Sequence, residues 1–245
     1  MTAFSVLLLG FLLGLKHATE ADHLAAVATL ATRQSSVGQT VRQGVAWGVG
    51  HTLTLVTIGT VVLLFGKAIP SNVAQFLELA VGVMLVLLGA DVLRRLLRAR
   101  VHFHVHSHDG GIRHMHAHRH AHASAVGLLH RRQSRHEHVH PQRLPLRALA
   151  IGIMHGMAGS AALILLSLEA VQSLPMGVLY MLVFGSGSIV GMALLSVAIA
   201  IPLRVSTGGM ERVHRGLTVL VGAFSVGLGL YMVYEIGIAG GLFAA

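Results

Sequence analysis

The chain contains no cysteine. That excludes disulfides, thiolate zinc sites and cysteine nucleophiles. Charge is scarce as well: 11% of the 245 residues are Asp, Glu, Lys or Arg, against about 25% in a soluble domain. Only 9 residues are acidic, while 18 are Lys or Arg, for a formal net charge of +9. This excess does not point to nucleic acid. Aromatics make up 5% of the chain, with one Trp, too few to stack on bases. The chain has no G-x4-G-K-[ST] loop to cradle ATP. Its opening residues, Met1 to Gly10, lack a basic n-region. The first apolar stretch is also too long for a signal-peptide core, so it is expected to be retained.

What is present is apolar: 54% of residues are hydrophobic and the mean hydropathy is +0.73. Six runs are long enough to cross about 30 Å of hydrocarbon at about 1.5 Å per residue. They lie at Ala3–Ala31, Gln43–Phe65, Val73–Leu93, Ala148–Val171, Met176–Leu203 and Gly216–Gly237. Lipid cannot satisfy free backbone groups, and runs this continuous are predicted as helices, not barrel strands. The expected fold class is therefore all-α, a polytopic membrane protein with six transmembrane helices.

Basic residues set the expected orientation. Arg33 and Arg42, the eleven arginines from Arg94 to Arg147, and Arg204, Arg212 and Arg215 occupy the three connections on one side. That is sixteen of the eighteen basic residues; Lys67 alone lies on the other side, and Lys16 is within the first run. The rich side is predicted to be cytoplasmic, with both termini outside. The expected location is the inner (plasma) membrane of a bacterium.

The two halves match weakly at an offset of about 137–140 residues. Gly14-Leu-Lys-His17 aligns with Gly152-Ile-Met-His155, Gly50-His51 with Gly187-Ser188, and Gly82 and Gly89 with Gly222 and Gly229. A repeat of three spans must enter the membrane upside down the second time, as in many secondary transporters. The predicted organisation is a 3+3 inverted repeat: residues 1–100, a cytoplasmic histidine-rich loop at 101–147, and residues 148–245. The second half has Ala158 opposite Glu20 and Ser160 opposite Asp22, so the polar chemistry is expected to be led by the first half.

Polar side chains inside apolar runs are functional candidates by default. The first run contains His17-Ala-Thr-Glu20-Ala-Asp22-His23. At about 100° per residue, Glu20 and His23 share a face with His17, whereas Asp22 falls on the other side. Either the helix is unwound there or Asp22 serves another partner. His23 and His51 sit at similar distances from the cytoplasmic arginines on antiparallel neighbours, and His155 approaches from the other half. Imidazole suits late first-row divalent metals. The candidate metal ligands are His17, Asp22, His23 and His51, with Glu20 and His155 as second choices. Lys16 paired with Glu20 or Asp22 is the structural alternative, but it leaves the histidines without a role. Met154 and Met157, Thr52 and Thr54, and Ser186 and Ser188 are expected to pack or to hydrogen-bond between helices.

Thirteen of the eighteen histidines lie between His102 and His140, mostly at every second position. Such tracts bind metal, here at sites of modest affinity on a chain expected to lack fixed structure. The tract would buffer imported metal, collect metal for export, or sense cytosolic load.

His17-Ala-Thr-Glu-Ala-Asp22-His23 resembles the H-x4-D-H motif of the nickel/cobalt transporter (NiCoT) family. Gly48-Val-Gly-His51-Thr52 resembles the family's second motif, a G-H-[ST] segment in the next span. Six spans are similar to the family's shorter branch of nickel permeases. The resemblance implies that His17, Asp22 and His23 recognise metal, with His51 in support. It also implies transport of Ni²⁺ first and Co²⁺ second, ahead of Zn²⁺, and uptake into the cytosol. The metal is then cargo, with no cofactor. The implied partners are the divalent ion and the lipid bilayer, with a cytosolic metallochaperone as a candidate and no nucleic acid. Two other readings compete with import. One is an efflux permease, for which a cytosolic histidine collector is equally sensible. The other is an intramembrane metalloenzyme, which would need further histidine boxes at helix ends.

Overall fold

A computed structural model describes residues 2–66, 69–98, 102–107, 113–118, 145–170, 173–206 and 210–242. The membrane unit comprises residues 1–94 and 145–245. Its helices are α1 (Ala3–His17), α2 (Ala21–Ala31), α3 (Val37–Phe65), α4 (Ser71–Arg98, whose last turn falls in the second unit), α5 (Leu146–Ala170), α6 (Leu174–Val205) and α7 (Glu211–Val233). A π-helical stretch, Tyr234–Ala239, prolongs α7.

Local chemistry sets the helix ends. Ser36 caps α3 by accepting the Gln39 N–H at 3.2 Å, and Gly66 closes it in the left-handed conformation at φ 61°, where a Cβ would be strained. Pro175 sits in the first turn of α6, where its missing N–H removes no helical bond. Observed helices extend beyond the apolar runs. α3 begins at Val37, ahead of the predicted Gln43, and α4 continues to Arg98, because a helix need not stop where hydrocarbon does.

Four helices are each long and apolar enough to cross a membrane: α3, α4, α6, and α7 with its π-helical extension. α1 and α2 qualify together as one crossing, bent by 57° at the break between them. α5 is helical over 25 residues, of which Leu146–Ala158 form a shorter apolar stretch described in full. The membrane unit is thus an all-helical bundle.

Burial runs opposite to that of a soluble protein. Phe4, Phe65, Leu87 and Leu220 are exposed, whereas His23, His51, His155, Ser188, Ser196 and Ser225 are buried. The apolar exterior matches lipid, and polar groups turn inward to find partners. Backbones meet closely at glycines. A Cβ on Gly14 would lie 2.0 Å from Phe184 O, and one on Gly152 would lie 2.1 Å from Trp47 O. A Cβ on Gly50 would lie 2.3 Å from Leu149 O, and one on Gly187 would lie 2.2 Å from Phe11 O. Between α4 and α7, Gly229 packs on Gly82 O and Gly89 on Gly222 O, with hypothetical Cβ distances of 2.5 and 2.7 Å. Ser225 Oγ–H crosses the same interface to donate to Leu85 O at 2.9 Å. Small residues at such crossings are the membrane substitute for hydrophobic driving force.

The second unit spans residues 95–144. Within it, β1 (His102–Ser107) and β2 (Arg113–His118) pair antiparallel, His102 opposite His118 and Ser107 opposite Arg113. Composition gives no reason to expect order here, but an every-second-residue repeat has the period of a strand. The remainder of the histidine tract lies outside the described residues.

Candidate metal centre

The centre forms where the first crossing stops being helical. Thr19 N–H donates to Lys16 O at 2.9 Å and Glu20 N–H to His17 O at 3.1 Å, tightening the last turn of α1. Thr19 Oγ–H also donates to Lys16 O, at 2.6 Å. A hydroxyl bonding back to its own chain competes with helix continuation. Glu20 is extended, at φ −63° and ψ 152°, and α2 restarts at Ala21. The restart exposes unpaired N–H groups in mid-span. Asp22 Oδ1 accepts one of them, from His23, at 2.8 Å, and a carboxylate in the first turn suits the helix dipole.

The break resolves the angular conflict around Asp22. Bending lets Asp22 turn toward the cluster: its Oδ1 lies 2.9 Å from His23 Nδ1 and its Oδ2 lies 2.9 Å from His155 Nε2 on α5. The two alternatives left by helix geometry therefore both hold, since the helix is unwound and Asp22 has a second partner. Glu20 Oε1 lies 3.0 Å from His17 Nδ1. The carboxylates that Lys16 was to neutralise thus face histidine.

All six sequence-predicted residues meet in one place. The His17 and His23 rings are 4.4 Å apart, His23 and His155 are 4.3 Å apart, and His51 lies 5.3 and 5.4 Å from His17 and His23. The four histidines are 0–7% exposed. The Asp22 side chain is 25% exposed and that of Glu20 is 56% exposed, so the acids sit at the rim. Among the described residues, six buried nitrogens lack a hydrogen-bond partner: His17 Nε2, His23 Nε2, both nitrogens of His51, His155 Nδ1 and Trp47 Nε1. Buried polar atoms are normally paired, so five orphaned imidazole nitrogens in one cluster require an explanation. Donor atoms of His17, His23 and His51 all lie within 4.8 Å of one another, as do those of Asp22, His23 and His155. Both triads could hold a metal ion by spacing.

Sequence reasoning did not single out two neighbours. The Trp47 ring lies 5.3 Å from that of His23 and 5.4 Å from that of His155. Phe184 lies 5.5 Å from His17. Trp47 is one helical turn before His51, so i,i+4 spacing was the available signal; Phe184 had none. The predicted interhelical role is observed for three of the hydroxyls: Thr54 donates to Ile153 O at 3.1 Å, Ser188 to Gly14 O at 3.1 Å and Thr52 to Gly185 O at 3.3 Å. Ser186 instead is exposed and bonds back within α6, to Val183 O at 2.7 Å. Asp91 pairs with Arg33, just beyond α2, and lies 3.6 Å from Arg94.

A bundle of apolar helices around a buried imidazole–carboxylate cluster, set at a broken crossing, has the architecture of a membrane transporter. The chain belongs to the high-affinity nickel-transport protein family, NicO, which it matches over residues 3–207. It is 34% identical over 240 residues to the urease accessory protein UreH of Bacillus sp. (strain TB-90), covering 98% of this chain and 95% of that protein. No solved structure matches the chain. The function is transport of a divalent transition metal, nickel, across a membrane.

Proposed function

We propose that the chain imports Ni²⁺ into the bacterial cytosol, with Co²⁺ as second substrate and Zn²⁺ a poorer one. The ion is received at the centre that His17, Asp22, His23 and His51 build, with Glu20 and His155 around them. The observation that carries this reading is the convergence of buried, unpartnered imidazole nitrogens. They offer neutral nitrogen donors to a late transition metal, and the ion exchanges part of its water shell for them. No chemical reaction is involved.

The proposed frame is six spans in a 3+3 inverted repeat, residues 1–100 and 148–245. The glycine contacts support it. Advancing each partner by the repeat offset turns Gly14 on Phe184 O into Gly152 on Trp47 O, with the halves exchanged. The same operation relates Gly50 on Leu149 O to Gly187 on Phe11 O. Gly82 with Gly229 and Gly89 with Gly222 exchange with each other. A two-fold axis in the membrane plane produces such exchanges.

The arginine distribution supports a cytoplasmic histidine tract and external termini in the inner membrane. The tract then buffers arriving metal. The urease accessory relative supports delivery to a cytosolic metallochaperone serving a nickel enzyme. A negative interior favours entry of a divalent ion by about 4.6 kcal/mol at about 100 mV. Proteoliposomes given radioactive Ni²⁺, Co²⁺ or Zn²⁺ under imposed potentials test the proposal. Inward flux should rise with inside-negative potential and follow the order Ni²⁺, Co²⁺, Zn²⁺. In cells, lower nickel content with the wild type than with His17→Ala would refute import.

A further inference from the structure

Two overlapping triads share His23, and hydrogen bonding distinguishes them. A carboxylate only accepts hydrogen bonds, so an imidazole nitrogen at bonding distance from one carries the proton. His23 Nδ1 and His155 Nε2 each lie 2.9 Å from Asp22, and His17 Nδ1 lies 3.0 Å from Glu20. These nitrogens are N–H donors with no free lone pair. The Asp22 carboxylate already holds three N–H groups, counting the His23 backbone. A cation could enter the Asp22–His23–His155 triad only by breaking those bonds.

The other triad is the complement. With protons fixed on the carboxylate side, the bare nitrogens are His17 Nε2, His23 Nε2, one nitrogen of His51 and His155 Nδ1, of which the first three belong to the His17–His23–His51 triad. These are among the buried atoms that lack partners. Glu20 and Asp22 therefore select the tautomers that leave a lone pair on each histidine of a triad in which one ring nitrogen of each lies within 4.8 Å of the others. A carboxylate behind an imidazole also raises its basicity and fixes its ring plane.

We propose that Ni²⁺ is held by His17, His23 and His51 alone, and that Asp22 and Glu20 are positioning residues that do not touch it. His155 is the second half's anchor on Asp22, holding that carboxylate in place across α2 and α5. This division of roles rests on the transport reading above and assigns its ligands. It also accounts for the rim position of both acids: the negative charge stays close enough to favour a dication while the ion meets only neutral donors.

The test is proton NMR of the purified full chain in nanodiscs loaded with one equivalent of Co²⁺. Co²⁺ shifts the protons of its ligands far outside the normal range. Signals lost in His51→Ala define the intramembrane site and separate it from the histidine tract. The expected set contains three exchangeable N–H resonances and no shifted CH₂ pair. Asp22→Asn should keep those three resonances while Co²⁺ affinity falls by about 10–100-fold. The His23 N–H should then exchange faster with water while the His17 N–H, held by Glu20, keeps its rate; a general loss of packing would speed both. A shifted CH₂ pair that vanishes in Asp22→Asn would make Asp22 a ligand and overturn the division of roles alone. If no shifted signal responds to His51→Ala, the ion is not held here and the transport reading of this cluster falls with it.

Discussion

The first crossing and its counterpart in the second half share a packing plan and differ in chemistry. α1 rests Gly14 on Phe184 O, and α5 rests Gly152 on Trp47 O, at nearly the same closeness. Three residues on, one has His17 and the other His155, both buried. There the likeness ends. The first crossing breaks after His17 and restarts with Asp22 and His23 facing inward, whereas α5 stays helical to Ala170. Where the first half has Glu20 and Asp22, the second has Ala158 and Ser160. On the proposed repeat, tight helix crossings are the shared scaffold, and departure from it supplies the polar cluster. A continuous helix would point His17 and Asp22 apart; a bend of 57° brings them into one cluster.

Substitutions can break or sharpen that contrast. The largest effect is expected in the first half. His17→Ala or His23→Ala should lower Ni²⁺ uptake by more than about 100-fold, since loss of a supporting partner alone costs about 10–100-fold. Initial rates in proteoliposomes check this, with reconstituted protein quantified in parallel. Next come the glycines, where the halves should behave alike. Gly14→Leu and Gly152→Leu each force a side chain into a backbone carbonyl and should destabilise by about 3 kcal/mol or more, above the usual range for overpacking. Melting in detergent should show similar drops in Tm for both variants. Unequal drops would mean that the two crossings are not equivalent scaffolds. His155→Ala should weaken nickel affinity by about 10-fold, the lower end expected of a residue acting through another, measured as a rise in the KM of uptake. The smallest change is Thr52→Val, which removes the bond to Gly185 O. Interhelical hydrogen bonds in membranes average about 0.6 kcal/mol, so Tm should move little and uptake should persist.

Much of this arrangement is legible in the sequence, because lipid constrains a chain heavily. Long apolar runs had to be helices, and a histidine–carboxylate cluster inside one of them had to face protein. Even the break was foreshadowed, since Asp22 falls on the wrong side of a regular helix. What sequence could not supply was the partner of Asp22. His155 lies 133 residues away, and only the fold brings it to hydrogen-bonding distance. Trp47 passed unnoticed because a lone aromatic in an apolar run looks like packing. The ribbon within the histidine tract was missed because low-complexity composition was given more weight than the two-residue period. Helix ends drifted outward for a plain reason: hydrophobicity marks where lipid stops, whereas capping groups such as Ser36 and Gly66 decide where the helix does.

The contrast between halves is sharpest at one pair of equivalent positions, His51 and Ser188, both fully buried. Their difference is the most direct test of a centre led by the first half. The measurement is radioactive Ni²⁺ uptake into proteoliposomes under one fixed inside-negative potential, for wild type, His51→Ala and Ser188→Ala. Uptake should be abolished in His51→Ala, while Ser188→Ala should retain most of its rate, having lost only a hydrogen bond to Gly14 O. Equal losses in the two variants, or uptake that survives His51→Ala, would contradict it.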